Sequence, residues 1–326
     1  MSIERVILAA PRGFCAGVDR AIDIVSLALE IYGSPVYVRK EIVHNAHVVQ
    51  ELGGRGAVFV DDLDEIPDGA RVIFSAHGIS PEVRAQAAAK RHRVIDATCP
   101  LVTKVHHEAL KYARGGRWVI LVGHAGHDEV VGTMGHVPGR MLLVGSVEEA
   151  EQVQIPDPDR VAVITQTTLS IDDTREIMAV LKRRFPSAVL PPKDDICYAT
   201  QNRQMAVKEM TGLVDLLLVI GSTNSSNSMR LVEVAQAAGV RAYLIDDISE
   251  MDPGWLEGVR TVGITAGASA PEHLVEEAVE FFRRMGVSRV EALDGIREDV
   301  VFALPPEIQR DLPPESKAGR SLRVLG

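Results

Sequence analysis

Cysteine is scarce in this chain, with three in 326 residues: Cys15, Cys99 and Cys197. So small and odd a number excludes a disulfide framework and leaves the thiols free, ligating or catalytic. No apolar stretch approaches the roughly 20 residues that a membrane span requires, and the start MSIERVILAAPRG has neither signal-peptide nor transit-peptide character. A cytoplasmic location with no membrane partner is expected. Positive charge is also short: 35 Lys and Arg face 45 Asp and Glu, for a formal charge of −10, and the basic residues are scattered. That balance lacks the electrostatic footprint of a nucleic-acid binder. No Walker A or dinucleotide glycine fingerprint occurs, which disfavours a bound nucleotide.

What is present is a chain with 46% apolar residues, ample for a sizeable core. Short β-branched runs such as RVILA (5–9), WVILVG (118–123) and LLLVIG (216–221) alternate with longer stretches of helical periodicity, for example Ala21, Ile24, Val25, Ala28 and Leu29. Apolar runs bracketed by helices describe parallel strands buried on both faces, so the expected class is α/β. The layout predicts three similar α/β units with mainly parallel sheets: 1–98 carrying Cys15, 99–195 carrying Cys99, and 196–303 carrying Cys197. The tail 304–326, rich in proline and charge, reads as a wrapping or loosely ordered segment.

Each cysteine stands where an apolar run ends and a helical stretch begins. A lone cysteine in such a chain is most often an inert small hydrophobe, but three in one repeated setting point to a shared site. A helix N-terminus favours the thiolate, the form that binds metal or attacks electrophiles. Five strand ends also run into small polar loops that start helices. They contain His77, Thr167 and Thr168, the run Ser222 to Ser228, Ser269, and His124, His127 and Glu129. Ligands of α/β sheets bind at these carboxyl ends, where free N–H groups meet anions. Simple capping accounts for Ser80, Pro81, Ser170 and Pro271. Seven consecutive Ser, Thr and Asn residues exceed what a cap needs and suggest a phosphate. His44, His77 and His127 add donors, and Glu129 is the carboxylate placed to move protons. Three thiolates spaced this widely suit either an iron–sulfur centre or a zinc hydrolase of a phosphorylated small molecule. A non-enzymatic anion sensor is a third reading.

The strings PRGFCAGVDRAI, VHN, SAHG, DATCPLV, GHAGHDEVVGTMG, TQTTLS, DDICYATQNRQ, GSTNSSNS and TAGASAP together resemble the 4-hydroxy-3-methylbut-2-enyl diphosphate reductases, in order over about residues 5 to 303. The resemblance implies three units around one central four-iron, four-sulfur (4Fe-4S) cluster, with Cys15, Cys99 and Cys197 as ligands and one iron left open to a substrate oxygen. It implies reductive removal of an allylic hydroxyl as water, giving isopentenyl and dimethylallyl diphosphates. Glu129 would be the proton source, supported by His127 and Thr167. His44, His77, His127, Ser225, Ser226, Asn227 and Ser269 would hold the diphosphate, with Thr168 nearby. The implied electron donor is a ferredoxin or flavodoxin. Asp128 and Ala10 depart from the family's usual proline and asparagine.

Overall fold

The computed structural model describes residues 3–191 and 195–313. The elements alternate through the chain, beginning with β1 (Arg5–Leu8), α1 (Ala16–Tyr32), β2 (Val36–Arg39), α2 (Ala46–Gly54), β3 (Ala57–Val60), β4 (Arg71–Phe74), α3 (Pro81–Ala89) and β5 (Arg93–Asp96). Next come α4 (Pro100–Arg114), β6 (Trp118–Val122), α5 (Asp128–Gly135), β7 (Met141–Val144), α6 (Val147–Gln152), β8 (Val161–Thr165) and α7 (Ile171–Arg184). The remainder is α8 (Tyr198–Thr211), β9 (Leu216–Ile220), α9 (Ser226–Ala237), β10 (Arg241–Ile245), β11 (Thr261–Ala266), α10 (Glu272–Arg284), β12 (Arg289–Ala292) and α11 (Pro306–Asp311).

The strands form three sheets, ordered β3-β2-β4-β5, β7-β6-β8 and β10-β9-β11-β1-β12, and every pairing is parallel. The α/β class is as the alternation of runs predicts. Strands such as β9, LLLVI with all five residues buried, need apolar side chains on both faces because helices cover both. Helices begin where capping chemistry allows. Ser80 accepts from Val83 N–H at 3.3 Å ahead of Pro81, and Ser170 accepts from Asp173 N–H at 3.2 Å.

Two features differ from the sequence reading. Arg5–Leu8, placed by chain order in the unit 1–98, lies between β11 and β12 of the last sheet. A β-branched run specifies a buried strand without specifying its neighbour, which tertiary packing chooses. In the tail, α11 is a packed element: Ile308 is fully buried and joins Leu312 in the core shared by α1 and β2. Tyr32 Oη donates to Asp311 Oδ2 at 2.8 Å across this contact.

The helices that follow the cysteines pack on successive sheets. Helix α1 buries Val18, Ile24 and Val25 with Val36 and Val38 of β2. Helix α4 sets Val105 and Ala109 against Val119 and Leu121 of β6, and α8 sets Val207 and Met210 against Leu217 and Val219 of β9. Replacing Ile308 by Ala removes a fully buried side chain that seats α11 on α1. It should lower unfolding stability by about 2–5 kcal/mol, read as a drop in the denaturant midpoint.

Candidate active site

Cys15, Cys99 and Cys197 are the N-cap residues of α1, α4 and α8. Each backbone N–H is tied to a strand-end loop. Cys15 donates to Ala268 O at 3.3 Å, Cys99 to Ala76 O at 2.9 Å, and Cys197 to Thr167 O at 3.0 Å. The next residues in those loops are Ser269, His77 and Thr168, so every cysteine is fastened beside a polar loop side chain. Gly17 lets two sulfurs approach: a Cβ there would lie 2.8 Å from Cys99 Sγ and 3.8 Å from Cys15 Sγ. Thr200 supports the third, donating its N–H to Cys197 Sγ at 3.4 Å with its Oγ1 3.2 Å from the same sulfur. Arg203, fully buried on α8, donates to Gly13 O at 2.7 Å and Phe14 O at 3.1 Å, and pairs with Glu298 at 3.1 Å. It thereby locks the loop before Cys15 to the helix that starts at Cys197.

The three sulfurs face a cavity of about 110 Å³ whose lining also includes His44, His77, His127, Glu129, Thr167, Thr168, Ser225, Ser226, Asn227 and Ser269. All thirteen residues singled out from the sequence are brought together there. The sequence reading missed Gly17, Thr200 and Arg203. The one legible signal among them was a small residue two positions after Cys15.

Burial, not the helix N-terminus, governs the thiols. It pushes Cys99 up to about 12 and Cys197 up to about 11, with like-charge repulsion from the other cysteines added, and raises Cys15 as well. Burial thus opposes the pull of the helix N-termini on the metal-free thiols. A shared metal centre fits such a donor set. Among the described residues the one group of three or more possible donors lying within 4.8 Å of one another is His44, His77 and Asp128.

Glu129 is almost fully buried. Its Oε1 accepts from Thr167 N–H at 2.7 Å and its Oε2 from Thr167 Oγ1 at 2.8 Å. Burial raises its carboxyl to about 7 against the opposing pull of these bonds. The N-cap His127 accepts at Nδ1 from Glu129 N–H at 3.2 Å. Burial lowers His127 to about 4 and His77 well below the ordinary imidazole value, so both are uncharged at neutral pH. His44 stacks on His77 with centroids 4.0 Å apart, and His127 meets both edge-on. Opposite them, Ser225 caps α9 by accepting from Ser228 N–H at 3.4 Å, and Ser269 Oγ donates to His44 O at 2.9 Å. Asn227 is buried, and neither amide atom of its side chain has a partner among the described residues.

Fold and site define a class: an α/β enzyme with three cysteines and a buried glutamic acid gathered in one cavity at the carboxyl ends of strands from three parallel sheets. A family profile described as LytB protein matches residues 6–283. The chain belongs to the LytB family and is an oxidoreductase. It is 58% identical over 310 residues to a protein of Acidothermus cellulolyticus, covering 95% of this chain and 91% of the relative. It is 55% identical over 325 residues to one of Leifsonia xyli subsp. xyli, covering 99% and 95%. Both relatives are named 4-hydroxy-3-methylbut-2-enyl diphosphate reductase. A solved structure of the E-1-hydroxy-2-methyl-but-2-enyl-4-diphosphate reductase from Plasmodium falciparum superposes with a TM-score of 0.90 at 36% identity, covering 98% of this chain and all of that one. Among the described residues no helix is long and apolar enough to cross a membrane.

Because its value in the fold is raised from 4.5 to about 7, Glu129 binds a proton that an unfolded glutamate has released. Its protonation supports the fold at low pH, and that support is lost as pH rises through about 7. Infrared difference spectra taken across this range should show a buried protonated-carboxyl band with a midpoint near 7, absent from Glu129→Gln.

Proposed function

We propose that this chain reduces 4-hydroxy-3-methylbut-2-enyl diphosphate to isopentenyl and dimethylallyl diphosphates, using a 4Fe-4S cluster held by Cys15, Cys99 and Cys197. Two electrons and two protons enter, the allylic C–O bond breaks, and the oxygen leaves as water. The observation that carries the reading is the single cavity lined by three N-cap cysteines, one buried protonated glutamic acid and the polar loops. When bound, the cluster supplies electrons and an iron with an open coordination position.

The chain's own residues do the rest. Hydroxide is a poor leaving group, so it departs only once protonated. Glu129 is the proton source, because burial raises its carboxyl to about 7, so that a large share of it still carries its proton near neutral pH. Thr167 grips both its oxygens and fixes its direction, while His127 is held by the adjoining backbone N–H. The diphosphate is a remote handle that positions the allylic carbon. Ser225, Ser226, Asn227, Ser269 and Thr168 receive it beside the free N–H groups at the start of α9, with His44, His77 and His127 on the facing wall. Electrons would come from a ferredoxin or flavodoxin, in a soluble cytoplasmic setting.

A zinc hydrolase of a phosphorylated small molecule is the rival. Anaerobically isolated protein should be brown and contain iron and sulfide; a colourless sample with stoichiometric zinc would overturn the reading. Glu129→Gln should lower turnover by at least about a hundredfold while keeping cluster absorbance and diphosphate binding. In the parent, kcat/KM should fall as pH rises through about 7, because the active form of Glu129 is the acid. Cys15→Ser, Cys99→Ser and Cys197→Ser should each lose cluster and activity together. Gly17→Ala should cut cluster occupancy, since the added methyl would sit 2.8 Å from Cys99 Sγ.

A further inference from the structure

Among the described residues Arg203 is the largest side chain that is fully buried, and it is a cation. Burying a guanidinium is costly unless it is both hydrogen-bonded and paired. Most of its bonds go to neutral carbonyls: Gly13 O from Nε at 3.0 Å and from Nη2 at 2.7 Å, Phe14 O at 3.1 Å and Ala199 O at 3.0 Å. Carbonyls satisfy N–H groups without cancelling a charge. The compensating charge is Glu298, whose Oε1 lies 3.1 Å from Nη1.

Glu298 reaches this position from residues 293–305, a stretch with no helix or strand. Its neighbours Arg297 and Asp299 stand out in solvent, with side chains 86% and 80% exposed, whereas the Glu298 side chain is 14% exposed. Asn202 Nδ2 donates to Glu298 Oε1 at 2.9 Å and fixes the carboxylate. Bracing the loop before Cys15 needs only the carbonyl bonds. What Glu298 adds to them is a negative charge.

Both charges are felt beside Cys15. Burial raises the Cys15 thiol, and the Arg203 guanidinium pulls it back down. Glu298 acts in the other direction: after burial and Cys15, it is among the groups that raise the Tyr198 phenol, whose Oη accepts from Ala16 N–H at 3.3 Å. Each electron taken up at a centre bound to these cysteines adds one negative charge there, and the potentials of such centres follow the net charge and hydrogen bonding around them. A fixed cation favours that uptake, and an anion paired with the cation weakens its pull.

We propose that the Arg203–Glu298 pair sets the reduction potential of the centre held by Cys15, Cys99 and Cys197, Arg203 drawing the potential up and Glu298 holding it below the value that the unpaired cation would give. The inference rests on reading the three cysteines as ligands of an iron–sulfur cluster.

The test is a potentiometric titration of anaerobic, cluster-loaded protein, followed by the loss of visible absorption on reduction. Glu298→Gln keeps the shape of the side chain and removes its charge. Its midpoint should rise by at least the equivalent of a tenfold change in the reduction equilibrium, about 59 mV for one electron. Glu298→Asp keeps the charge on a shorter stem, and its midpoint should lie closer to the parent's than to that of Glu298→Gln. A purely structural carboxylate predicts the reverse: an unchanged midpoint in the isosteric Gln variant and loss of the cluster in the Asp variant. That pattern, or equal midpoints in parent and Glu298→Gln, would overturn the inference. Iron, sulfide and turnover are measured on the same samples. Parent protein that binds no iron and sulfide sinks the functional reading and this inference together; a full cluster with an unshifted Glu298→Gln midpoint sinks the inference alone; a shifted midpoint in protein whose parent shows no turnover sinks the proposed reaction and leaves the tuning pair standing.

Discussion

The backbone N–H of each cysteine is hydrogen-bonded to a carbonyl at the end of a neighbouring strand, while the helix that the cysteine caps packs on the next sheet. Each cysteine is therefore a joint between two sheets, and three joints close a ring. The residue after each accepting carbonyl is Ser269, His77 or Thr168, so one set of bonds fixes both the sulfurs and the polar side chains facing them. Displacing any strand end moves a sulfur and a cavity-lining polar group as a pair. Arg203 adds a cross-brace between the Cys15 loop and α8.

The same burial acts in opposite directions on the two kinds of acid in the cavity. It raises the Glu129 carboxyl to about 7, so that a large share of it carries its proton near neutral pH. It also holds the thiols protonated, which opposes ligation until a cation arrives. Helix N-termini do favour thiolates, and three of them point at this cavity. At this depth that contribution is smaller than desolvation, and the like charges of three gathered sulfurs enlarge the difference.

Much of this was legible in the sequence. Eleven β-branched runs became strands β1 to β11, because parallel strands buried on both faces must be continuously apolar. Strand β12, RVEA, was not legible: it is an edge strand with exposed charged positions, so its pattern carries no burial signal. The place of β1 in the last sheet was hidden because side-chain pattern reports burial and not partnership. The thirteen cavity residues were readable because strand-end loops at helix starts are where ligand chemistry collects. Arg203 was not, since a buried guanidinium depends on what lies across the fold. The expected unit boundary near 193 to 196, where PPKDD (191–195) interrupts the pattern, falls partly outside the described residues.

The seat of β1 between β11 and β12 bears on the order in which the protein is made. The first strand to leave the ribosome has no sheet to enter until residues 261–292 have followed it out. A half-synthesised chain already carries Cys15 and Cys99, but the carbonyl of Ala268 that anchors Cys15 does not yet exist. The anchorage of the three cysteines is thus completed only once the chain has been made at least as far as Ala268.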